Sequence, residues 1–226
     1  MQGARLNRRL KFVETHVHLS SVFSKERFLK LASKLGFSVI FATDRVEGVG
    51  EVEVLLRVNL EGGNLAQMKR ALGRVRGKGD VVAAPCINRE VATWAARNPD
   101  IDVIYFPSLD HYKCMDKSLV RLSHEGRTAI ELSLTPLFER EGTKRMQAFS
   151  ILRRAATVLL EEGAVFFITR EPKGEYELRS PESLIAIARL LGVPREGAVR
   201  ALSSYPLLIL KWRGYEGIQR EVTPEG

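Results

Sequence analysis

Cysteine is nearly missing from this chain: two residues in 226, Cys86 and Cys114. They are too far apart for a Cys-x-x-Cys motif and too few for a disulfide scaffold or zinc ribbon, so both are read as free thiols of a reducing cytoplasm. Amide side chains are also scarce, with five Asn and four Gln, a depletion of heat-labile groups that points towards a thermophile. No apolar run approaches the ~20 residues needed to cross a bilayer, and the basic start has no signal-peptide core. The expectation is a cytoplasmic chain with no membrane partner. No Gly-x-Gly-x-x-Gly follows the first predicted strand and no Walker-type loop occurs, which removes the main signals for dinucleotide and nucleoside-triphosphate sites. Without a Gly-x-Ser-x-Gly elbow, and with neither cysteine beside a base, nucleophilic catalysis has little support. Nothing matches an RNA-recognition or KH motif, and no aromatic platform for single-stranded RNA is evident.

What is abundant is positive charge. Thirty-five basic residues against 27 acidic ones give +8 and an isoelectric point near 9.7. A total of that size could serve solubility alone, but its distribution says more. Residues 1–11 carry Arg5, Arg8, Arg9 and Lys11 with no acid, and residues 62–79 carry Lys69, Arg70, Arg74, Arg76 and Lys78, again with none. Arg70, Arg74 and Lys78 recur every four residues, away from Leu65, Met68, Leu72 and Val75, so one helix would present an apolar stripe and a basic one. Helical faces that only meet water usually intersperse acids for pairing. An acid-free stripe suits a polyanion, and nucleic acid better than membrane.

Apolar residues make up 45% of the chain, enough for a sizeable core. Short β-rich runs alternate with helical ones. Strands are predicted at Phe12–Leu19, Ser38–Thr43, Val52–Leu60, Val81–Pro85, Val103–Phe106, Thr128–Leu134 and Ala164–Arg170, with an extra one at Leu207–Trp212. Helix stops are placed at Gly36, Gly126, Gly163 and Gly192, where a left-handed residue is favoured. Ser180 followed by Pro181 reads as a helix start. Repeated β-then-α units imply parallel strands with helical crossovers. The predicted architecture is a single-domain α/β chain, a small β/α barrel over residues 12–213 with an open doubly wound sheet as the competitor, a basic arm at 1–11 and a tail at 214–226.

One local pattern points to chemistry: Glu14-Thr15-His16-Val17-His18. On a regular strand Glu14, His16 and His18 share one face, with Val13 and Val17 on the other. A His-x-His pair at the end of a first barrel strand is half of a metal site, which Asp44, Asp110, His111 or Glu131 could complete. Two facts oppose it. The chain holds four histidines in all, and Arg45 after Asp44, if it points into the same mouth, supplies a permanent cation where a metal would sit. Further basic residues stand at loops or helix starts: Arg89, Lys113, Lys117, Arg170, Lys173 and Arg179.

The ordered series Asp102-Val103-Ile104, Pro107, Asp116, Leu119, Ala129-Ile130-Glu131-Leu132, Thr135-Pro136-Leu137 and Tyr176 to Leu184, followed by Ala201 to Leu210, resembles the archaeal ribonuclease P protein component 3 family. The likeness is good over roughly residues 80–212 and loose in the first third. It implies a TIM-like barrel related to the PHP phosphoesterases, with Glu14-Thr15-His16-Val17-His18 as a retained first motif. Where those enzymes would read Thr-Asp-His, this chain has Thr43-Asp44-Arg45, so the resemblance implies a dismantled metal centre. It further implies a noncatalytic subunit of ribonuclease P, the ribonucleoprotein that removes 5′ leaders from precursor tRNA. Its partners would be the ribonuclease P RNA, precursor tRNA through the complex, a small ferredoxin-like subunit and other ribonuclease P proteins. Magnesium would belong to the RNA, with no cofactor on this chain. Arg45, Arg89, His111, Lys117 and Arg179 would then contact RNA or hold loops that do, joining Arg70 and Arg74 of the basic helix. Two other readings stay open: a PHP-type metal-dependent phosphoesterase using His16, His18 and Asp44, and an assembly scaffold whose charge only aids solubility.

Overall fold

Period-two apolar runs bounded by Gly, Asp and Pro become strands, and the periodic segments between them become crossover helices. The computed structural model describes residues 11–214 apart from 22, 23, 49, 51 and 76; the basic arm, apart from Lys11, and the tail, apart from Gly214, lie outside the described residues, as does Arg76. Seven parallel strands stand in chain order: β1 (Phe12–Val17), β2 (Phe37–Ala42), β3 (Glu53–Asn59), β4 (Val81–Pro85), β5 (Val103–Tyr105), β6 (Ala129–Ser133) and β7 (Phe166–Thr169). The crossovers are α1 (Lys25–Leu35), α2 (Leu65–Val75), α3 (Arg89–Ala96), a 3₁₀ turn (Leu109–Cys114) with α4 (Lys117–Gly126), and α5 (Thr135–Glu139) with α6 (Gly142–Glu161). Three helices follow: α7 (Pro181–Leu190), α8 (Arg195–Leu202) and α9 (Ser204–Trp212). The result is the expected single-domain TIM-like barrel, nearly closed with seven strands.

Side chains alternate cleanly. Val39, Phe41, Leu55, Val81, Ala83, Val103, Ala129 and Phe167 form one buried cluster inside the ring. Their neighbours Ile40, Ala42, Val82, Ala84, Ile104, Ile130 and Ile168 join the helices in the outer core. Strand β1 breaks the rule. Glu14 pairs with Ile40 and Val17 with Ala42, so three steps on β1 oppose two on β2, a β-bulge. Val13 therefore lies in the inner cluster and Val17 in the outer one, and the expected common face of Val13 and Val17 does not exist.

Two further expectations are corrected. The segment expected as an eighth strand, Leu207–Trp212, belongs to α9, whose Leu207, Ile209 and Leu210 join the inner cluster. An apolar run of that length does not distinguish strand from buried helix, and Pro206 is tolerated in the first helical turn. Gly36, Gly163 and Gly192 do take positive φ beyond their helices, but Gly126 is the last residue of α4 and Arg127 is left-handed instead, at φ 54. Gly126 is needed for another reason: a Cβ there would stand 2.0 Å from the Ala96 carbonyl oxygen, so the glycine sets the approach of α4 to α3.

The helix α9 is fastened by Arg213, which donates from Nε and Nη2 to both carboxylate oxygens of Asp102 at 2.5 and 2.7 Å and from Nη2 to the Asp100 carbonyl at 2.8 Å. Asp102 is buried and its second oxygen also accepts the Val82 N–H. Arg213→Ala is expected to cost about 2–3 kcal/mol in urea unfolding, because charge-assisted bonds to a buried carboxylate are lost while water can replace only part of them.

Candidate functional site at the barrel mouth

The strand ends bring together a polar network that adjacent sequence does not reveal. His16 on β1 donates or accepts at Nδ1 with Glu131 Oε1 on β6 at 2.9 Å, and its Nε2 lies 3.1 Å from Asn59 Nδ2 on β3. An amide N–H can only donate, so the network assigns neutral His16 with the proton on Nδ1. Burial, then the nearby Arg57, lower its pKa, in keeping with that form. Arg57 is fully buried on β3. It forks onto both oxygens of Glu131, and it also donates to the Thr15 carbonyl at 2.7 Å and to Asn59 Oδ1 at 2.8 Å. Its guanidinium stands 5.4 Å from the centre of the Tyr105 ring. Burial alone would raise Glu131; Arg57 and His16 outweigh it and hold the carboxyl at about 2.

Two more carboxylates face this network. Glu14 accepts from the Thr169 hydroxyl, while its Oε2 and the Thr15 hydroxyl have no hydrogen-bond partner among the described residues. Glu171, left-handed at φ 51, places a carboxylate oxygen 3.9 Å from His16 Nδ1. For a non-glycine residue that backbone conformation is uncommon and costs energy.

The expected ligand set of His16, His18 and Asp44 does not converge. Among the described residues the metal-ligand types that converge are His16, Glu131 and Glu171, with donor atoms within 4.8 Å of one another; His18 and Asp44, expected with His16, are not in that group. Both ring nitrogens of His16 are engaged, and Glu131 is held by Arg57. The cation of the site is a guanidinium. His18 packs its ring 4.8 Å from that of His16, and Asp44 accepts the Ser20 N–H at 2.7 Å and the Thr43 hydroxyl at 3.3 Å. Asp110 and His111 lie on the 3₁₀ turn after β5, where His111 Nδ1 meets Ser108 Oγ at 2.9 Å. Nor does Arg45 enter the mouth: its Nη2 donates to the Lys78 carbonyl at 3.0 Å on the exposed flank of β3. Arg57, absent from the sequence-based candidates, does what Arg45 was expected to do.

The basic candidates separate into free and engaged groups. Arg70 and Arg74 are exposed on α2 and share a cavity of about 320 Å³ with Glu61 and Gln67; among the described residues neither makes an ion pair. Lys78 lies beyond the end of α2, so the helical stripe is two arginines with Lys69 rather than a run to Lys78. Arg89 donates to the Cys114 carbonyl at 3.0 Å and pairs with Asp116 at 2.8 Å. Lys117 pairs with Glu161 at 2.9 Å, tying α4 to α6. Arg179 donates to the carbonyls of Tyr176 and Leu178 at 2.7 and 3.0 Å, just before the Ser180 cap.

A ring of parallel strands whose polar side chains gather at the strand ends defines the class of TIM-like β/α barrels. A prolidase solved with N-methylphosphonate-L-proline is similar in fold, with TM-score 0.60 and 12% identity over 90% of this chain and 75% of that one. A chain in the cryo-EM structure of archaeal ribonuclease P with mature tRNA is more similar, with TM-score 0.75 and 17% identity over 95% of this chain and 96% of that one. The profile of the RNase P subunit p30 family matches residues 11–216, and the chain belongs to that family. Ribonuclease P protein component 3 of Methanosarcina mazei is 25% identical over 209 residues, covering 92% of this chain and 84% of the relative. That of Archaeoglobus fulgidus is 27% identical over 162 residues, covering 70% and 74%. The match reaches across the first third, where the sequence motifs were loose. The chain is thus a protein subunit of ribonuclease P, the tRNA-processing endoribonuclease.

Proposed function

We propose that this subunit binds the ribonuclease P RNA through basic side chains on its exposed faces and supports cleavage without supplying a reacting group. The observation that carries the reading is α2: Lys69, Arg70 and Arg74 are exposed, and among the described residues none has an ion-pair partner. Unpaired cations on one helix repel each other and gain most from phosphates. Arg89, His111 and Arg179 follow the C-terminal ends of β4, β5 and β7, which all open on one end of a parallel barrel, while Arg45 follows β2 but turns to the flank of β3. The pairs of Arg89 and Lys117 are exposed and screened by water, so they can be traded for phosphate contacts. The self-contained network of Arg57, Glu131 and His16 favours this reading over the phosphoesterase.

On the same reading, precursor tRNA is met through the assembled complex in the cytoplasm, and a small ferredoxin-like subunit docks beside this chain among other ribonuclease P proteins. Magnesium accompanies the RNA. No described helix is long and apolar enough to cross a membrane. The test is binding of the full chain to ribonuclease P RNA across a salt series. Arg70→Ala with Arg74→Ala should flatten the log–log slope by roughly 1.4–1.8, from about 0.7–0.9 per phosphate contact. A wild-type response that ignores salt would overturn RNA recognition, and an unchanged slope in the double variant would remove α2 from it.

A further inference from the structure

The most exposed large apolar side chain among the described residues is Tyr176, at 89%. It sits on a 3₁₀ turn, Glu175–Glu177, and the turn is pinned from three sides. The Tyr176 carbonyl accepts from Arg179 at 2.7 Å, Glu175 pairs with Arg27 of α1 at 3.0 Å, and the Glu177 carboxylate accepts the Lys173 N–H at 2.9 Å. These contacts hold the turn with its ring unpacked in water. Such a ring gains by stacking, and with the turn held less entropy is lost when it does.

Beside it lies a cavity of about 480 Å³ whose far wall is α1, with Arg27, Lys30, Leu31 and Lys34 at helical spacing. The volume lies within the roughly 300–1,000 Å³ that holds small ligands. Lys34 has no ion-pair partner among the described residues, and Lys30 has only an exposed i, i+4 pair with Glu26. The other highly exposed apolar side chains, Met146, Leu190 and Trp212, do not line this cavity. Glu26 and Glu175 also line the cavity, paired with Lys30 and Arg27, so Lys34 is its cation without an ion pair among the described residues. One aromatic ring beside three basic side chains suits a nucleobase and its phosphate better than an apolar protein anchor.

We propose that Tyr176 and the Arg27, Lys30 and Lys34 face of α1 form a stacking site for one unpaired nucleotide of RNA. The inference rests on the RNA-binding reading above and gives that surface a site for single-stranded chain. The protein then recognises an unpaired element as well as tracking phosphates.

The experiment uses the full chain with two probes, ribonuclease P RNA and a ten-nucleotide single-stranded oligoadenylate carrying one 2-aminopurine. Tyr176→Ala should weaken the oligonucleotide roughly 5- to 150-fold, the range set by one stacked base, and should abolish the change in 2-aminopurine fluorescence. Tyr176→Trp should keep both. Lys34→Ala should lower the salt slope by about 0.7. The side chain is exposed, so Tyr176→Ala is expected to fold normally. If wild type binds ribonuclease P RNA but Tyr176→Ala binds both probes equally well, the stacking site is wrong and the RNA-binding reading stands. Release of another protein subunit by Tyr176→Ala with RNA affinity intact makes the ring a protein anchor, which overturns the proposal. Binding of neither probe by wild type overturns both readings.

Discussion

Arg57→Met should destabilise the protein by about 3–5 kcal/mol, because it strands Glu131 in the barrel without its cation. For a domain of this size that is a fall of roughly 6–20 °C in melting temperature. Glu131 has no access to water and Arg57 binds both of its oxygens, so solvent cannot take over. Adding Glu131→Gln should return most of the loss: the amide keeps an oxygen for the His16 N–H and removes the stranded charge. The pH dependence supplies a second check. In wild type Glu131 is held at about 2, below its ordinary 4.5, so its contribution is fully present above pH 4.5 and is lost as pH falls towards 2. The gap between wild type and Arg57→Met should therefore narrow over that range. Melts of equal midpoint for wild type and Arg57→Met at neutral pH would show that the ion pair contributes nothing to the fold.

This network also marks where reading the sequence stopped. The seven strands were legible to within a residue or two at most ends, because each is a short Val-, Ile-, Ala- or Phe-rich run between breakers. The basic helix was legible from its missing acids. The partner of Glu131 was not, since Arg57 lies 74 residues earlier in a strand predicted without any site residue. Its signal was there: Leu55, Arg57 and Asn59 alternate, so an inward Leu55 forces the other two inward. A buried arginine requires an acid facing it, and Glu131 is the one charged residue of β6. Arg45 misled because its neighbour Asp44 matched a metal motif, and adjacency in sequence says nothing about direction beyond a strand end. The bulge in β1 was invisible for a related reason. Register is a property of two strands, and the extra residue appears only against β2. Tyr176 escaped because one aromatic residue in a loop has no period to betray it; only the packing of α1 beside the turn gives it company.

Glu14→Gln should remove a loss of stability that wild type suffers on the alkaline side. Burial, the largest cause, and repulsion from Glu131 raise Glu14 to about 8, against the lowering effect of the Thr169 hydroxyl and the His16 and Arg170 N–H groups. The folded state holds this proton up to pH 8, whereas the unfolded chain releases it near 4.5. Folding thus takes up a proton between those values, and stability falls as pH rises through them. A difference of about 3.5 units corresponds to a loss on the order of 5 kcal/mol, complete above pH 8. Glu131 acts in the opposite sense below 4.5, so the two carboxylates together place their joint optimum near pH 4.5 and not at the isoelectric point. Glu14→Gln leaves the acid limb in place and flattens the alkaline one, so its advantage over wild type should grow steadily from pH 4.5 to 8. Denaturant midpoints at half-unit steps would resolve this, and parallel curves for the two proteins would rule out a buried proton on Glu14. The chemical meaning is charge balance. With Glu14 protonated and His16 neutral, Arg57 and Glu131 neutralise each other inside the barrel. The excess positive charge of the chain is then left to its outer faces, where phosphates can reach it.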